Sequence, residues 1–340
     1  MTAVLIPLDL SRRPAELLGR MLRLMNQTAG SGLTVVIAVA DRGGVADQRL
    51  TEAARDFGHV AVASDAVVAD QPNLSRLRNR AAAVAGDDII ILLDADIAPD
   101  VTLLHGLARQ VEKGAPLAMA PCLYLSHAGT SALLSGQLDR DGIIKSSLAF
   151  EPDLVLHWAM PSSVMAMRAS SYSAVGGFHE GYEGYGYEDL DFMIRLAVAQ
   201  DCIAPSPALL LDRPYRAPLL AEGFRASLGS LCLTNLLDGA IALHLFHEKE
   251  SADRYIRQRS VNGTLFRRRI AAILPERAEP CAAEAVPAII SRFYAECGKR
   301  ARDPADFHAL FDARPRHMLI RRPFHSRLWR QVRSHLWWTS

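Results

Sequence analysis

The sequence predicts an α/β protein: a mostly parallel central sheet with flanking helices, followed by a small helical C-terminal extension. Three observations carry this. Strand-like apolar runs alternate with amphipathic helical stretches through the first hundred residues, an order that yields parallel strands joined by crossover helices. The run Ile89-Ile90-Ile91-Leu92-Leu93 is apolar at every position, as a strand covered on both faces must be. After Asn262 strand signals stop and Arg-rich helical stretches take over, which places a boundary near residue 265. The expected organisation is an α/β domain over 1–265 and an Arg/Trp-rich helical extension over 266–340.

The elements follow in order. Val4 to Leu8 reads as the first strand. Pro14, pre-set for a first helical turn, opens a helix through about Leu24, and Gly30 to Gly32 follow its end. Leu33 to Ala40 is a Val/Ile-rich strand running into Asp41-Arg42-Gly43-Gly44. A helix (Gln48 to Phe57), a strand (Val60 to Ala63) and a helix capped by Asn73 (Leu74 to Ala85) lead to the Ile89 run. Pro99-Asp100 starts another helix, and Leu117 to Cys122 reads as a strand. From Ser126 to Leu156 the pattern loosens, with Gly129, Gly136 and Gly142 marking loops or short strands. Ser163 to Met167 is a strand, followed by a Gly-rich loop and a helix from Glu188 to about Ala199. Ala226 to Phe246 is apolar-rich, but Ser227, Ser230, Thr234, Asn235 and Asp238 interrupt it, against a membrane-spanning helix.

Composition narrows the function classes. Of 340 residues, 50% are apolar and 22% charged, a globular balance. A net charge of +1 gives no pull towards nucleic acid. The five cysteines are scattered without Cys-x-x-Cys spacing, which points to a reducing compartment and away from structural zinc. Met1 to Pro7 lacks the basic start and length of a signal peptide, so a cytoplasmic protein is expected. The sequence contains no Gly-x-Gly-x-x-Gly after the first strand, no Gly-x-x-x-x-Gly-Lys-Ser/Thr loop and no Gly-x-Ser-x-Gly. Dinucleotide-binding, P-loop and α/β-hydrolase readings therefore fail.

Two constellations carry chemistry. Asp94-Ala95-Asp96 closes the Ile89 strand, and two carboxylates there are costly to bury unless a cation neutralises them. At the carboxyl end of an α/β strand that cation can be a divalent metal carrying a phosphorylated substrate; the same pair also closes ordinary turns. The second runs from Gly176 to Asp191: glycines permit close approach, Tyr182, Tyr185 and Tyr187 offer flat faces for sugar rings, and Glu188, Asp189 and Asp191 open a helix. Acidic residues in a first turn are also plain capping chemistry.

With both on one chain, the sequence resembles glycosyltransferases of the GT-A fold, especially the family-2 group and its bacterial capsule-polysaccharide members, from about residue 3 to 262. Arg78-Asn79 looks like that group's Arg-Asn element and Asp94-Ala95-Asp96 like its metal-binding Asp-x-Asp. Pro161 to Arg168 looks like the strand before the acceptor loop. Val175-Gly176-Gly177-Phe178-His179-Glu180 matches Val-Gly-Gly-Phe-Asp-Glu with His179 in place of Asp, and Tyr185-Gly186-Tyr187-Glu188-Asp189 matches Trp-Gly-x-Glu-Asp with Tyr in place of Trp.

The resemblance implies an inverting, metal-dependent transfer from a nucleotide-sugar donor, with UDP expected, to a glycan or lipid-linked saccharide acceptor in surface-polysaccharide synthesis. It makes Asp189 the general base and gives Glu188 sugar or acceptor hydroxyls to hold; Asp191 serves either the site or the cap. Metal ligands are expected from Asp94, Asp96 and one of His244 and His247, with His244 favoured, and imidazole suits Mn²⁺ better than Mg²⁺. Donor binding is expected from Pro7 and Leu8 against the base, Asp41 at base or ribose, Arg76, Arg78, Arg254 and Arg257 at phosphate or uracil, and Asn79 as part of the Arg-Asn element. Rival readings are a retaining N-acetylgalactosaminyltransferase-like enzyme, a nucleotidyltransferase, and a non-catalytic carbohydrate- or nucleotide-binding scaffold. From Arg314 to Ser340 arginines interleave with Trp329, Trp337 and Trp338 without an acidic residue, a composition suited to peripheral contact with an anionic membrane, or to a packed C-terminal helix.

Overall fold

The computed structural model of the chain describes residues 1–66, 72–149, 153–213, 215, 217–248, 258–275 and 288–312. Arg254, Arg257 and the Arg314–Ser340 tail lie outside the described residues.

The first strand, β1 (Thr2–Leu8), is buried along its whole length. It pairs in parallel with β2 (Leu33–Asp41) on one side and β4 (Ile89–Leu92) on the other. With β3 (Val60–Ala66), β5 (Leu117–Met119) and β8 (Met165–Arg168) the sheet order is β3-β2-β1-β4-β8-β5, and only β8 runs against its neighbours. Successive side chains face opposite ways, so each strand feeds two cores. Val4, Ile6, Leu8, Ile89 and Ile91 enter one, under Leu17, Met21 and Leu24 of α1 (Pro14–Thr28), Leu50 of α2 (Val45–Ala54) and Leu104 and Leu107 of α4 (Val101–Glu112). Ala3, Leu5, Ile90 and Leu92 enter the other, under Leu77 and Ala81 of α3 (Leu74–Val84) and Phe192, Met193 and Leu196 of α8 (Glu188–Ala199). This is why the Ile89 run shows no polar alternation.

The expected strand over Leu117 to Cys122 is two strands in two sheets. Ala120 bonds to Val164 O, and Pro121, with no N–H to give a ladder, breaks the run. The chain then enters β6 (Cys122–Leu125), flanked by β7 (Val155–Ala159) and β9 (Ala242–His244) in a second sheet. The stretch expected as loops or short strands holds two helices, α5 (His127–Leu134) and α6 (Arg140–Leu148). Ser126 and Asp139 cap them by accepting the N–H of Gly129 and Gly142, so those glycines sit in first turns. Gly129 also abuts Leu154 O, where a Cβ would lie 2.0 Å away.

After β8, α7 (Ala169–Ala174) leads to the Gly-rich loop. The apolar stretch from Ala226 is broken into α9 (Gly223–Ser230), α10 (Leu233–Leu237) and β9, and among the described residues no helix is long and apolar enough to cross a membrane. The change of character expected near residue 265 falls inside α11 (Arg259–Ala271), whose Phe266 and Ile270 share the core of α3 and α8. Ile289, Phe293 and Cys297 of α12 (Ala288–Lys299) join that same core.

Strand order reverses between β1 and β4: the chain steps outward through β2 and β3, then returns to the other side of β1. A crevice forms at such a switch point, beyond the strands' carboxyl ends.

Candidate active site

A cleft of about 640 Å³ opens at that switch point, walled by Pro7, Leu8 and Asp9 at the end of β1, Asp94 and Asp96 after β4, and Glu188 and Asp189 at the start of α8. Carboxylates separated by nearly a hundred residues thus face one cavity. Arg78 joins them. It is buried on α3, and its guanidinium donates to Asp94 Oδ1 at 2.9 Å and Glu188 Oε1 at 3.3 Å, with the Phe178 ring 4.9 Å away. Burial opposes its charge, but Asp94 and Glu188 outweigh that and hold its pKa above the ordinary arginine value.

The acidic pair at the helix start is under strain of charge. Burial, then the neighbouring Asp189, push the Glu188 carboxyl up to about 7 against the pull of Arg78. Its Oε2 is buried with no hydrogen-bond partner. Burial also raises the Asp189 pKa, opposed by Arg78 and by the Leu190 N–H, which donates to Oδ1 at 2.8 Å. The pair is aimed by a backbone turn: Tyr187, the residue before α8, has φ +75°, a left-handed conformation costly for a non-glycine residue. Its hydroxyl donates to Asp212 at 2.7 Å, and the Arg259 guanidinium lies 4.7 Å from its ring and 5.3 Å from that of Tyr185. Tyr185 itself stands on the cleft wall.

Asp191 has a different role. It is fully buried, off the cleft wall, and accepts from Arg195 Nε and Arg269 Nε, each at 2.8 Å. Arg195 also donates to the carbonyls of Val175 and Gly177. Asp191 therefore ties α8 to the Gly-rich loop and to α11.

The expected histidines come together with Asp96. Ligand atoms of Asp96, His244 and His247 lie within 4.8 Å of one another, close enough for one metal ion. His244 Nδ1 is 2.8 Å from Leu245 O and His247 Nδ1 is 3.1 Å from Glu248 O. A carbonyl only accepts, so each Nδ1 carries the proton and each Nε2 keeps a lone pair for a ligand. Burial lowers both pKa values, His244 to about 4, so both rings are neutral near pH 7. His244 also stacks on Tyr124, with centroids 4.0 Å apart, and Tyr124 stacks on His157. Main-chain bonds from Ala98 N to Leu243 O and from Leu245 N to Asp96 O fix β9 against the Asp94–Ala98 turn.

Four of the expected residues are engaged elsewhere in the structure. Asp94 stands outside the metal cluster: its oxygens are taken by Arg78 and by the Ser163 hydroxyl at 2.6 Å. Asn79 is spent on contacts within the protein. Its Oδ1 accepts from the Tyr172 hydroxyl and Phe178 N–H, while its Nδ2 donates to Phe178 O and Glu180, so it organises the Gly-rich loop. Gly177 (φ +62°) meets it so closely that a Cβ would lie 2.6 Å from Asn79 Oδ1. Asp41 is off the cleft wall and accepts the Gly43 N–H, closing its turn; Arg76 pairs with Asp65 away from the cleft.

Other side chains on or beside the wall escaped the sequence reading. Asp9 has a buried Oδ2 without a partner. Arg13 grips both oxygens of Asp96, at 2.8 and 3.1 Å, and Arg20 and Glu16 complete the network. Burial alone would raise the Asp96 pKa, but Arg13 and then the two histidines bring it below the usual range. The signal was present as spacing: Glu16 and its i+4 neighbour Arg20 lie on one face of α1, and Arg13 immediately precedes the helix.

No curated protein sequence shows significant similarity to the chain. Among solved structures, S. aureus TarS 1-349 in complex with UDP aligns over 57% of this chain and 54% of its own, at 15% identity and TM-score 0.39. Glucosyl-3-phosphoglycerate synthase from Mycobacterium tuberculosis, in complex with Mn²⁺, UDP and phosphoglyceric acid, aligns over 58% and 64%, at 13% identity and TM-score 0.37. The chain therefore spans about half the length of that TarS structure (54%). The profile of the family described as "Glycosyltransferase like family 2" matches residues 54–270, more than half of the chain and including Arg78, the Asp-x-Asp turn, the Gly-rich loop and both histidines. The chain belongs to the glycosyltransferase-like family 2.

Proposed function

We propose that the chain transfers a sugar from a nucleotide-sugar donor, with UDP the expected nucleotide, to a hydroxyl of a glycan or lipid-linked acceptor, inverting the anomeric centre. The observation that carries this is the Arg78 bridge: one guanidinium joins the turn after β4 to the start of α8 across a single cleft. In this reading Asp189 accepts the proton of the acceptor hydroxyl as it attacks the anomeric carbon from the face opposite the diphosphate, help worth roughly 10²–10⁴-fold in rate. Glu188, near neutrality in its titration, hydrogen-bonds sugar or acceptor hydroxyls through Oε2. Pro7 and Leu8 supply an apolar wall for the base, and Tyr185 a face for the acceptor ring.

Asp96, His244 and His247 fit a divalent cation, and two imidazoles with one carboxylate favour Mn²⁺ over Mg²⁺. Such a cation supplies positive charge to the departing diphosphate. The chain's own contribution is to engage Asp94 with Arg78 and Ser163, so that Asp96 and the two imidazoles are the ligands it offers. Surface-polysaccharide synthesis is the proposed setting.

The test separates binding from chemistry. Asp189→Asn should bind UDP-sugar as the parent does, by calorimetry, and lose at least roughly a hundredfold in transfer. Transfer retained within a few fold would remove Asp189 as the base.

A further inference from the structure

We propose that Arg13 is an exchangeable clasp: it holds Asp96 while the donor site is free, and moves to the donor's diphosphate once a divalent cation takes Asp96. This rests on the nucleotide-sugar reading above.

The two guanidinium groups on Asp96 are not equivalent. Arg20 is a fixed strut. Its side chain is 9% exposed, it is off the cleft wall, and it also donates to Phe246 O at 2.8 Å and pairs with Glu16. Arg13 stands on the wall immediately before the first turn of α1, 24% exposed, and among the described residues its other partner is the half-exposed Glu16 at 3.3 Å. It covers Asp96 Oδ2, the oxygen 3.5 Å from His247 Nε2. A cation shared by Asp96, His244 and His247 needs a lone pair where Arg13 sits, and its charge would repel the guanidinium at that distance. Asp96 then has a cation and Arg20 as counter-charges, and Arg13 is surplus.

The displaced fork has one chemically matched destination. A diphosphate that ligates the cation brings anionic oxygens beside Arg13, and their spacing suits the two parallel N–H donors now spent on a carboxylate. The first turn of α1, without a side-chain cap, adds partial positive charge on the same side. Arg13 thus competes with the cation alone and cooperates with cation plus nucleotide.

Removing a group with those two roles moves two affinities in opposite directions. Arg13→Ala should bind Mn²⁺ without nucleotide about three- to tenfold more tightly, by electron paramagnetic resonance titration, since Asp96 is then unclasped. The same variant should bind UDP, at saturating Mn²⁺, about tenfold more weakly by calorimetry. Arg13→Lys, which keeps the charge and loses the fork, should fall between parent and Arg13→Ala in both. Arg20→Ala should weaken Mn²⁺, because Asp96 loses its strut. Mn²⁺ affinity unchanged or lowered in Arg13→Ala, or the same sign in the Arg13 and Arg20 variants, overturns the clasp while the parent still binds both ligands. A parent that binds neither Mn²⁺ nor UDP overturns the donor-site reading, and the clasp with it.

Discussion

Replacing Arg78 with leucine tests the charge balance of the cleft as a stability measurement, independent of any substrate. Arg78 and Glu188 side chains are 4% and 9% exposed, whereas Asp94 is 34% exposed and can be re-solvated. Stranding a buried charge by deleting its partner costs about 3–5 kcal/mol, and the exposure of Asp94 puts Arg78→Leu near the lower end, about 3 kcal/mol. The loss should depend on pH. In the parent, lifting the Glu188 pKa from 4.5 to about 7 means its ionised form is disfavoured by about 3 kcal/mol relative to the unfolded chain. Between those values the folded protein keeps a proton that the unfolded chain has released, so this group's contribution falls as pH rises through that window and is flat above it. Without Arg78 the Glu188 pKa rises further, so the decline continues above 7. Urea denaturation of parent and variant at pH 5, 7 and 8.5 should show a gap that widens with pH. A constant gap, or one below about 1 kcal/mol at pH 8.5, would refute the idea that Arg78 neutralises buried carboxylates.

Two further outcomes follow from the same geometry. Protons compete with metal for imidazole, and burial lowers both histidine pKa values, His244 from 6.5 to about 4; the acid fall in Mn²⁺ affinity should therefore be centred below the ordinary histidine value of 6.5, and a fall centred at or above 6.5 would contradict the buried site. Asp191→Ala leaves Arg195 and Arg269 unpaired beside a fully buried position, so urea unfolding should show a loss of about 3 kcal/mol, with a loss below 1 kcal/mol as the contrary result.

What the sequence disclosed, it disclosed through patterns that one element suffices to create. The Ile89 run, the Pro14 helix start and the Glu188 helix start are local signals, and each element appears where its residues required. Asp94, Asp96, Glu188 and Asp189 were legible because carboxylates at a strand end and a helix start are unusual company for a core. What stayed hidden depends on which way a side chain turns once distant elements meet. Asn79 reads as a donor contact until its amide is seen spent on the Phe178 and Glu180 loop. Arg13 and Arg20 drew no reading, because spacing along α1 marks a stripe of charge without saying that Asp96 lies opposite. Pro121 marked the break between the two sheets, yet periodicity alone carried the strand across it.

The hydrogen bonds that lace β9 to the turn after β4 set a limit on how the cluster can adjust. Asp96 and His244 are spaced by main chain, so the distance between their side chains is set by the fold. His247 lies beyond the last residue of β9, on a stretch that is held as well: the Phe246 N–H donates to Thr130 Oγ1 at 2.7 Å and the Phe246 carbonyl accepts from Arg20. The three side chains therefore stand as a preset frame, and a cation in the proposed site would be selected by how well its radius suits that frame.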